Sequence, residues 1–336
     1  MTVVGPFGLS VRDQALEADV QAGLAAVEEG LLEATKSEVP FITEAAQHLV
    51  RAGGKRFRPL LVMLAAQFGD RYAPGVVPSA VVVELTHLAT LYHDDVMDVA
   101  EVRRGVDSAN TRWGNSVAVL TGDFLFARAS HILADLGPEA VRVQAEAFER
   151  LVTGQILETA GPQDGRDPIE HYLDVLSGKT GSLVAVSCRF GAMMSGADET
   201  VVDVLTQYGE RLGVAFQLAD DVLDIASESR ESGKTPGTDL REGIPTLPVL
   251  RLRERAERLG LAEDAALCEL LDSDLSDDAR LAEALAQLRV HPALEQARRD
   301  TVRYAEDARA ALAPLPDMAA KAALMELCDA VVHRAG

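Results

Sequence analysis

The sequence predicts an all-α fold, a single large helical bundle, on three observations. Apolar residues recur at spacings of three and four over most of the chain, the period that gathers them on one helix face. Strand-like alternation is rare: aromatic residues make up only 4%, while Ala, Leu, Val, Glu and Arg dominate, a composition that favours helix. The connections between periodic segments are short and rich in Gly and Pro, as in helical bundles. No linker-like change of composition interrupts residues 1–336, so one domain is expected, with a loose arm over residues 1–10.

In chain order, Leu16, Val20, Leu24, Val27 and Leu31 predict a first helix over about residues 11–36. A second covers 42–51 and stops at Gly53-Gly54, and Pro59 suits a restart that continues as helix over 60–68. After a turn with two prolines, a central helix runs over about 79–99. Helices follow over 116–136, broken at Gly137-Pro138, and then over 139–159, 169–176, 179–194 and 199–225. Further helices fill the remainder, where residues 262–284, rich in Asp and Glu, read as a solvated outer layer.

A net charge of −21 argues against a nucleic-acid partner, because phosphate backbones need a basic surface. Cys188, Cys268 and Cys328 are odd in number and far apart, forming neither a zinc pattern nor a disulfide framework, so a cytoplasmic, reducing setting is expected. The start of the sequence lacks a basic segment followed by an apolar run, so no signal peptide is read there. The apolar stretch over 76–92 is broken by Glu84 and His87, so no membrane anchor is expected from it.

Against this background two acidic clusters stand out. Asp94, Asp95 and Asp98 lie on the central helix at roughly 0°, 100° and 40° around its axis, hence on one face. Carboxylates this close repel unless cations lie between them. The same DDxxD spacing returns at Asp220, Asp221 and Asp224, again among apolar residues. If the two helices face each other, six carboxylates line one cavity. Hard carboxylate oxygens suit Mg²⁺, which takes its other ligands from water and substrate phosphate. Cationic clusters complete the pattern: Lys55, Arg56 and Arg58 beside Gly53-Gly54, Arg103 and Arg104 after the first acids, and Lys179-Thr180 and Lys234 in glycine-containing turns. The SGKTG and SGKTP stretches are not P-loops, because Leu173 and Glu228 stand where that motif needs its first glycine. His87 and His93 form no metal-ligand motif.

These motifs resemble those of the trans-isoprenyl diphosphate synthases, the polyprenyl synthetase family, and occur in that family's order. They are GGKRFRP at 53–59, ELTHLATLYHDDVMD at 84–98, RRG at 103–105, GD at 122–123, KTG at 179–181, FQLADDVLD at 216–224, and the GK, GTDL and TLP segments over 233–248. The resemblance implies an isoprenoid-synthase-like helical bundle with a central cavity, a homodimer, and several Mg²⁺ ions per active site. By it, the six aspartates bind the metals. Arg103, Lys179, Thr180, Gln217 and Lys234 contact an allylic diphosphate; Lys55, Arg58, His87 and Arg104 bind isopentenyl diphosphate. Ile244 departs from the pattern, since many members carry a lysine there, so one diphosphate contact is missing.

The implied reaction joins isopentenyl diphosphate head-to-tail to an allylic diphosphate. Ala89 and Thr90, with Leu85 and Val82 further down, would wall the product chain on the central helix; Ala89 and Thr90 are small where a bulky aromatic stops elongation early in the family, so the resemblance implies a medium-to-long product, roughly C30 to C45. A bacterial polyprenyl diphosphate synthase of that class is the expectation, loosely associated with a membrane through its product. A short-chain farnesyl or geranylgeranyl diphosphate synthase is the alternative; a terpene cyclase or a non-catalytic partner subunit fits the retained aspartates and basic clusters less well. Ala89 could instead merely pack against a neighbouring helix, with the product's floor near Ile156.

Overall fold

The computed structural model describes residues 13–163, 165–227 and 236–335. The predicted arm over 1–10 and Lys234 lie outside the described residues. Secondary structure is almost wholly helical, as expected. The chain runs α1 (Gln14–Ala34), α2 (Pro40–Arg51), α3 (Phe57–Ala65), α4 (Val76–Met97), β1 (Val102–Arg103), β2 (Val106–Asp107), α5 (Ala109–Trp113), α6 (Asn115–Leu136), α7 (Pro138–Ala160) and α8 (Pro168–Leu176). It continues through α9 (Ser182–Met194), α10 (Glu199–Ala226), α11 (Thr238–Arg241), α12 (Leu247–Leu259), α13 (Ala262–Leu271), α14 (Asp278–Val290), α15 (Pro292–Ala311) and α16 (Ala319–Ala335).

Local chemistry sets the ends of these helices. Asp13 caps α1 by accepting from the amides of Ala15 and Leu16, so the helix starts at Gln14, later than its apolar period indicates. Asp167 caps α8 in the same way, and Pro168 takes the first helical position, where a missing N–H costs nothing.

The chain divides into two compact units. The first comprises Met1–Glu149, Leu183–Gly209 and Ala311–Leu327. Its centre is α4, against which α1, α3, α5 and α6 pack. Val76, Ala80, Val82, Val83, Leu85, Leu88, Ala89 and Tyr92 of α4 are buried, and the Tyr92 hydroxyl donates to the Ala45 carbonyl at 2.5 Å. Gly122 lets α6 cross α4 closely: a Cβ there would lie 2.3 Å from His93 Nε2 and 3.1 Å from the Ala89 carbonyl. That close crossing accounts for the glycine of the GD motif. Among the described residues α6 is one helix long and apolar enough to cross a membrane, yet only a third of its apolar window is buried within the chain.

The second unit comprises Arg150–Ser182, Glu210–Ala310 and Cys328–Gly336. Within it α8 packs on α12, α12 on α13, and α13 on α14. The KTG stretch is not the first turn of a regular α-helix, as its sequence indicates, but part of a π-helical turn, Ser177–Gly181. The reason is close backbone approach. A Cβ on Gly154 of α7 would stand 2.6 Å from the Lys179 amide nitrogen, and one on Gly178 would stand 2.8 Å from the Arg150 carbonyl. π-turns of this kind collect at functional sites.

Two further expectations change. A two-residue antiparallel hairpin, Val102 with Asp107 and Arg103 with Val106, follows α4. Two residues per strand are too few to show alternation. The acidic stretch over 262–284 is not wholly solvated: the Asp264 carboxylate is buried between Arg255 at 2.8 Å and His291 at 3.1 Å, and Leu267 and Leu281 face inward.

Candidate active site

The first acidic cluster sits where α4 emerges from its apolar surroundings. Asp94 is half-buried, Asp95 is buried, and Asp98 is exposed as the C-cap. The Ala100 amide donates back to the Asp95 carbonyl at 2.9 Å, closing the helix with Val99 in the left-handed region at φ 51°. The hairpin then returns the chain. Its two central residues, Arg104 (φ 53°) and Gly105 (φ 77°), both adopt positive φ, as a tight two-residue turn requires, which gives the RRG motif its glycine. This return puts Arg103 Nε 2.6 Å from Asp95 Oδ1, while Asp95 Oδ2 is buried without a hydrogen-bond partner. Burial raises the Asp95 pKa and the Arg103 charge opposes that rise.

The cationic residues near Gly53-Gly54 divide into two kinds. Arg56, at φ 47°, is locked: it donates to Glu28, to Glu84 at 2.9 Å and to the Val50 carbonyl at 3.0 Å. Arg104 donates to the carbonyls of Leu49, at 3.1 Å, and Gly53, and lies 3.6 Å from Glu84. A Cβ on Gly54 would lie 2.8 Å from the Arg104 guanidinium, so this glycine makes room for it. Arg58 has a buried Nε without a partner, and burial lowers its pKa to about 10, with the Arg104 charge adding to the fall and Glu84 opposing it. Burial, and then the charges of Arg58, Arg104, Arg103 and Arg56, push His87 well below the usual imidazole range, so it is neutral. Lys55 is exposed.

In the second unit, Asp220 pairs with Arg334 of α16 at 2.7 Å, and that guanidinium lies 4.9 Å from the Phe216 ring centroid. Asp221 is buried and accepts from the Tyr172 hydroxyl and, at 3.1 Å, from Gln217 Nε2. Burial raises its pKa to about 7; Asp239 and Asp220 add to the rise, and the two donors oppose it. Asp224 accepts from the amides of Thr238 and Asp239, both at 3.4 Å, at the start of α11. Lys179 pairs with Glu158 at 2.6 Å, and Thr180 Oγ1 lies 3.5 Å from Gln217 Oε1.

The polyprenyl synthetase family model matches residues 39–288. The nonaprenyl diphosphate synthase of Mycobacterium tuberculosis is 48% identical over 331 residues, covering 98% of this chain and 97% of that protein. The chain belongs to the polyprenyl synthetase family. A Mycobacterium tuberculosis dimethylallyltranstransferase is 40% identical, covering 96% of this chain and 97% of that protein. The geranylgeranyl pyrophosphate synthase of Corynebacterium glutamicum, crystallised with calcium and isoprenyl diphosphate, is similar with a TM-score of 0.86 and 44% identity, covering 97% of this chain and 99% of that one. As a family member the chain is a prenyl diphosphate synthase, an enzyme that transfers prenyl groups.

For this prenyl synthase, the donor set fits a divalent cation. Among the described residues no three Asp, Glu, His or Cys side chains already converge as a finished metal site. The acids are instead held by side-chain donors: Asp95 by Arg103, Asp220 by Arg334, Asp221 by Tyr172 and Gln217. The orphaned Asp95 Oδ2 is the atom that fits a cation best, since a buried lone carboxylate oxygen is costly without one.

Of the tunnel-wall residues, Ala89 and Leu85 are wholly buried, and Thr90 donates to the His87 carbonyl at 2.8 Å. Ala89 lies at the close crossing of α4 and α6. Ile156 is 62% exposed within the chain. Ile244 sits in the turn after α11, its amide donating to the Asp239 carbonyl at 2.9 Å. Sequence reading missed Glu84, Glu158, Tyr172 and Arg334 as partners of the site. Only Glu84 carried a signal, a lone carboxylate inside an apolar run.

Proposed function

We propose that this enzyme condenses isopentenyl diphosphate head-to-tail onto an allylic diphosphate, and repeats the step to an all-trans polyprenyl diphosphate of roughly C30 to C45, a length taken from the family resemblance and supported by the small side chains of Ala89 and Thr90 on α4. The observation that carries this reading is the pairing, within one unit, of the orphaned buried carboxylate oxygen on Asp95 with a nest of arginines around a neutral His87. One side suits a metal-bound diphosphate and the other a bare one.

In this reading Asp94, Asp95 and Asp98, and likewise Asp220, Asp221 and Asp224, are ligands for Mg²⁺. Bound Mg²⁺ supplies Lewis-acid stabilisation of the departing diphosphate. Arg103, Lys179, Thr180 and Gln217 donate to the allylic diphosphate, and Lys234 is assigned the same role by family pattern. Lys55, Arg58 and Arg104 hold isopentenyl diphosphate by charge, and His87, being neutral, adds one N–H donor without further positive charge. No side chain of these motifs serves as an evident base; by resemblance to the family, the released diphosphate accepts the proton lost after carbon–carbon bond formation. Apolar residues such as Ala89, Leu85 and Val82 exclude water that would quench the carbocation.

A homodimer fits the exposed apolar face of α6 and the start of α7, where Leu120 is 65% exposed, Val141 43% and Val119 39%. A cytoplasmic setting, with loose membrane contact only through the product, completes the proposal.

The test is incubation with Mg²⁺, labelled isopentenyl diphosphate and allylic primers of increasing length, followed by sizing of the products. A product in the proposed range supports the reading. No incorporation with any primer would sink it, and arrest at a farnesyl or geranylgeranyl product would assign the enzyme to the short-chain class. Ala89→Phe should shorten the product; unchanged length places the floor elsewhere.

A further inference from the structure

Three arginines crowd one buried carboxylate in the first unit. Glu84 is 1% exposed, accepts from Arg56 Nη1 at 2.9 Å and lies 3.6 Å from Arg104 Nη2. Its charge also favours the charged form of Arg58. Arg56 is held on its other edge by Glu28, a half-exposed residue, and by the Val50 carbonyl, so protein partners take four of its five N–H groups. The nest therefore carries its own counter-ion, fixed on the helix that bears Asp94, Asp95 and Asp98.

A fixed anion in an anion-binding nest works against affinity. A diphosphate entering beside Arg58 and Arg104 meets Glu84 as a like charge, in surroundings where charges are poorly screened. If binding alone mattered, a neutral residue at 84 would serve better. The reaction supplies the reason for a carboxylate. In each condensation the allylic C–O bond breaks with release of inorganic diphosphate, and the allylic carbon bonds to the isopentenyl double bond. The resulting cation then loses a proton to the released diphosphate, and the diphosphate that came in on the isopentenyl unit becomes the diphosphate of the product. For a further round, that group must leave the cationic nest and be held as an allylic diphosphate. A nest without an internal anion would keep it.

We infer that Glu84 is a release residue: its carboxylate holds the arginines in place while the nest is empty, and weakens their grip on diphosphate so that the lengthened product can move on. This rests on the proposed isopentenyl diphosphate role of the nest. Arg56, engaged mainly by protein partners, acts through Glu84 by sharing its charge. It is a positioning residue and touches no substrate.

The test reads binding apart from turnover. Inorganic diphosphate is titrated by calorimetry in EDTA, where the aspartate clusters lack the metal they need and the nest is the binding site. Glu84→Gln keeps the shape and an acceptor for Arg56 but removes the charge; it should bind about three- to tenfold tighter than the wild type, the size expected for one nearby buried charge. Arg56→Gln should bind weaker by a similar factor, because Glu84 then stands less compensated. In steady state Glu84→Gln should show a lower KM for isopentenyl diphosphate with a lower kcat, and its products should shift to shorter chains. Unchanged or weaker diphosphate binding by Glu84→Gln overturns the proposal, since a purely structural carboxylate would give only a lower melting temperature. Tighter binding with unchanged kcat and product length overturns the release role. Should Glu84→Gln lose its cooperative melt, the Arg56→Gln arm decides, and unchanged or tighter binding there is fatal. A wild type that binds diphosphate in EDTA but never incorporates isopentenyl diphosphate would refute the proposed function instead, so the two failures are distinguishable.

Discussion

Val99 shows how a single residue can be at odds with its backbone. It is β-branched, 78% exposed and held at φ 51°, where a branched side chain is a genuine outlier. The geometry persists because the Ala100 amide must satisfy the Asp95 carbonyl as α4 ends beside the acids. Val99→Gly should therefore raise unfolding stability by about 0.5–1 kcal/mol, the relief of strain less the added freedom of the unfolded chain; denaturant titration checks it, and a loss of stability would contradict the strain. Asp221 is a second case. Its folded pKa of about 7 lies above the ordinary carboxylate value, so the folded chain binds more protons than the unfolded one between about pH 4 and 7. Its contribution is thus fully present below that window and is lost as pH rises through the folded pKa. In EDTA the wild type should lose melting temperature from pH 5 to pH 8, and Asp221→Asn should lose less. An identical slope in both proteins would show that Asp221 is not the titrating group.

At the scale of elements, glycine placement decides how α7 meets the turn that carries Lys179 and Thr180. Gly154 and Gly178 face each other across a gap that a single methyl group would fill, with backbone atoms 2.6 and 2.8 Å from the added carbon. Backbone cannot step aside as a flexible side chain can. Gly154→Ala should cost about 1–3 kcal/mol by overpacking. It should also displace Lys179 from Glu158, so that KM for the allylic substrate rises more than KM for isopentenyl diphosphate. Equal changes in the two would show that the turn had not moved. Both glycines are visible in the sequence, but neither its helical period nor its resemblance to a P-loop discloses their partner.

For the molecule as a whole, α6 poses the main question. Its composition would suit a buried or membrane-spanning helix, yet two thirds of its apolar window is not buried within the chain. An apolar face left uncovered in a chain of net charge −21 calls for a covering surface, and in the proposed reading that surface is a second copy. Leu120→Lys should then convert the dimer to a monomer in light scattering after size-exclusion chromatography, with the helical content kept. A wild type that is already monomeric, or a variant that stays dimeric, would contradict that assignment of the face.

The sequence by itself determined the helical class, the positions of most helices and both aspartate clusters, because these are written in local period and spacing. It also marked Gly53-Gly54, RRG and KTG as special, though not why. Tertiary structure decided what those residues are free to do. It showed that Arg56, adjacent in sequence to Lys55 and Arg58, is engaged by Glu28 and Glu84; that His87 is neutral; and that burial raises the Asp221 pKa to about 7 against the opposing hydrogen bond from Tyr172. The reason is physical. Period and spacing arise from backbone geometry within a few turns, whereas the charge and availability of a side chain depend on burial and on partners brought in from distant parts of the chain.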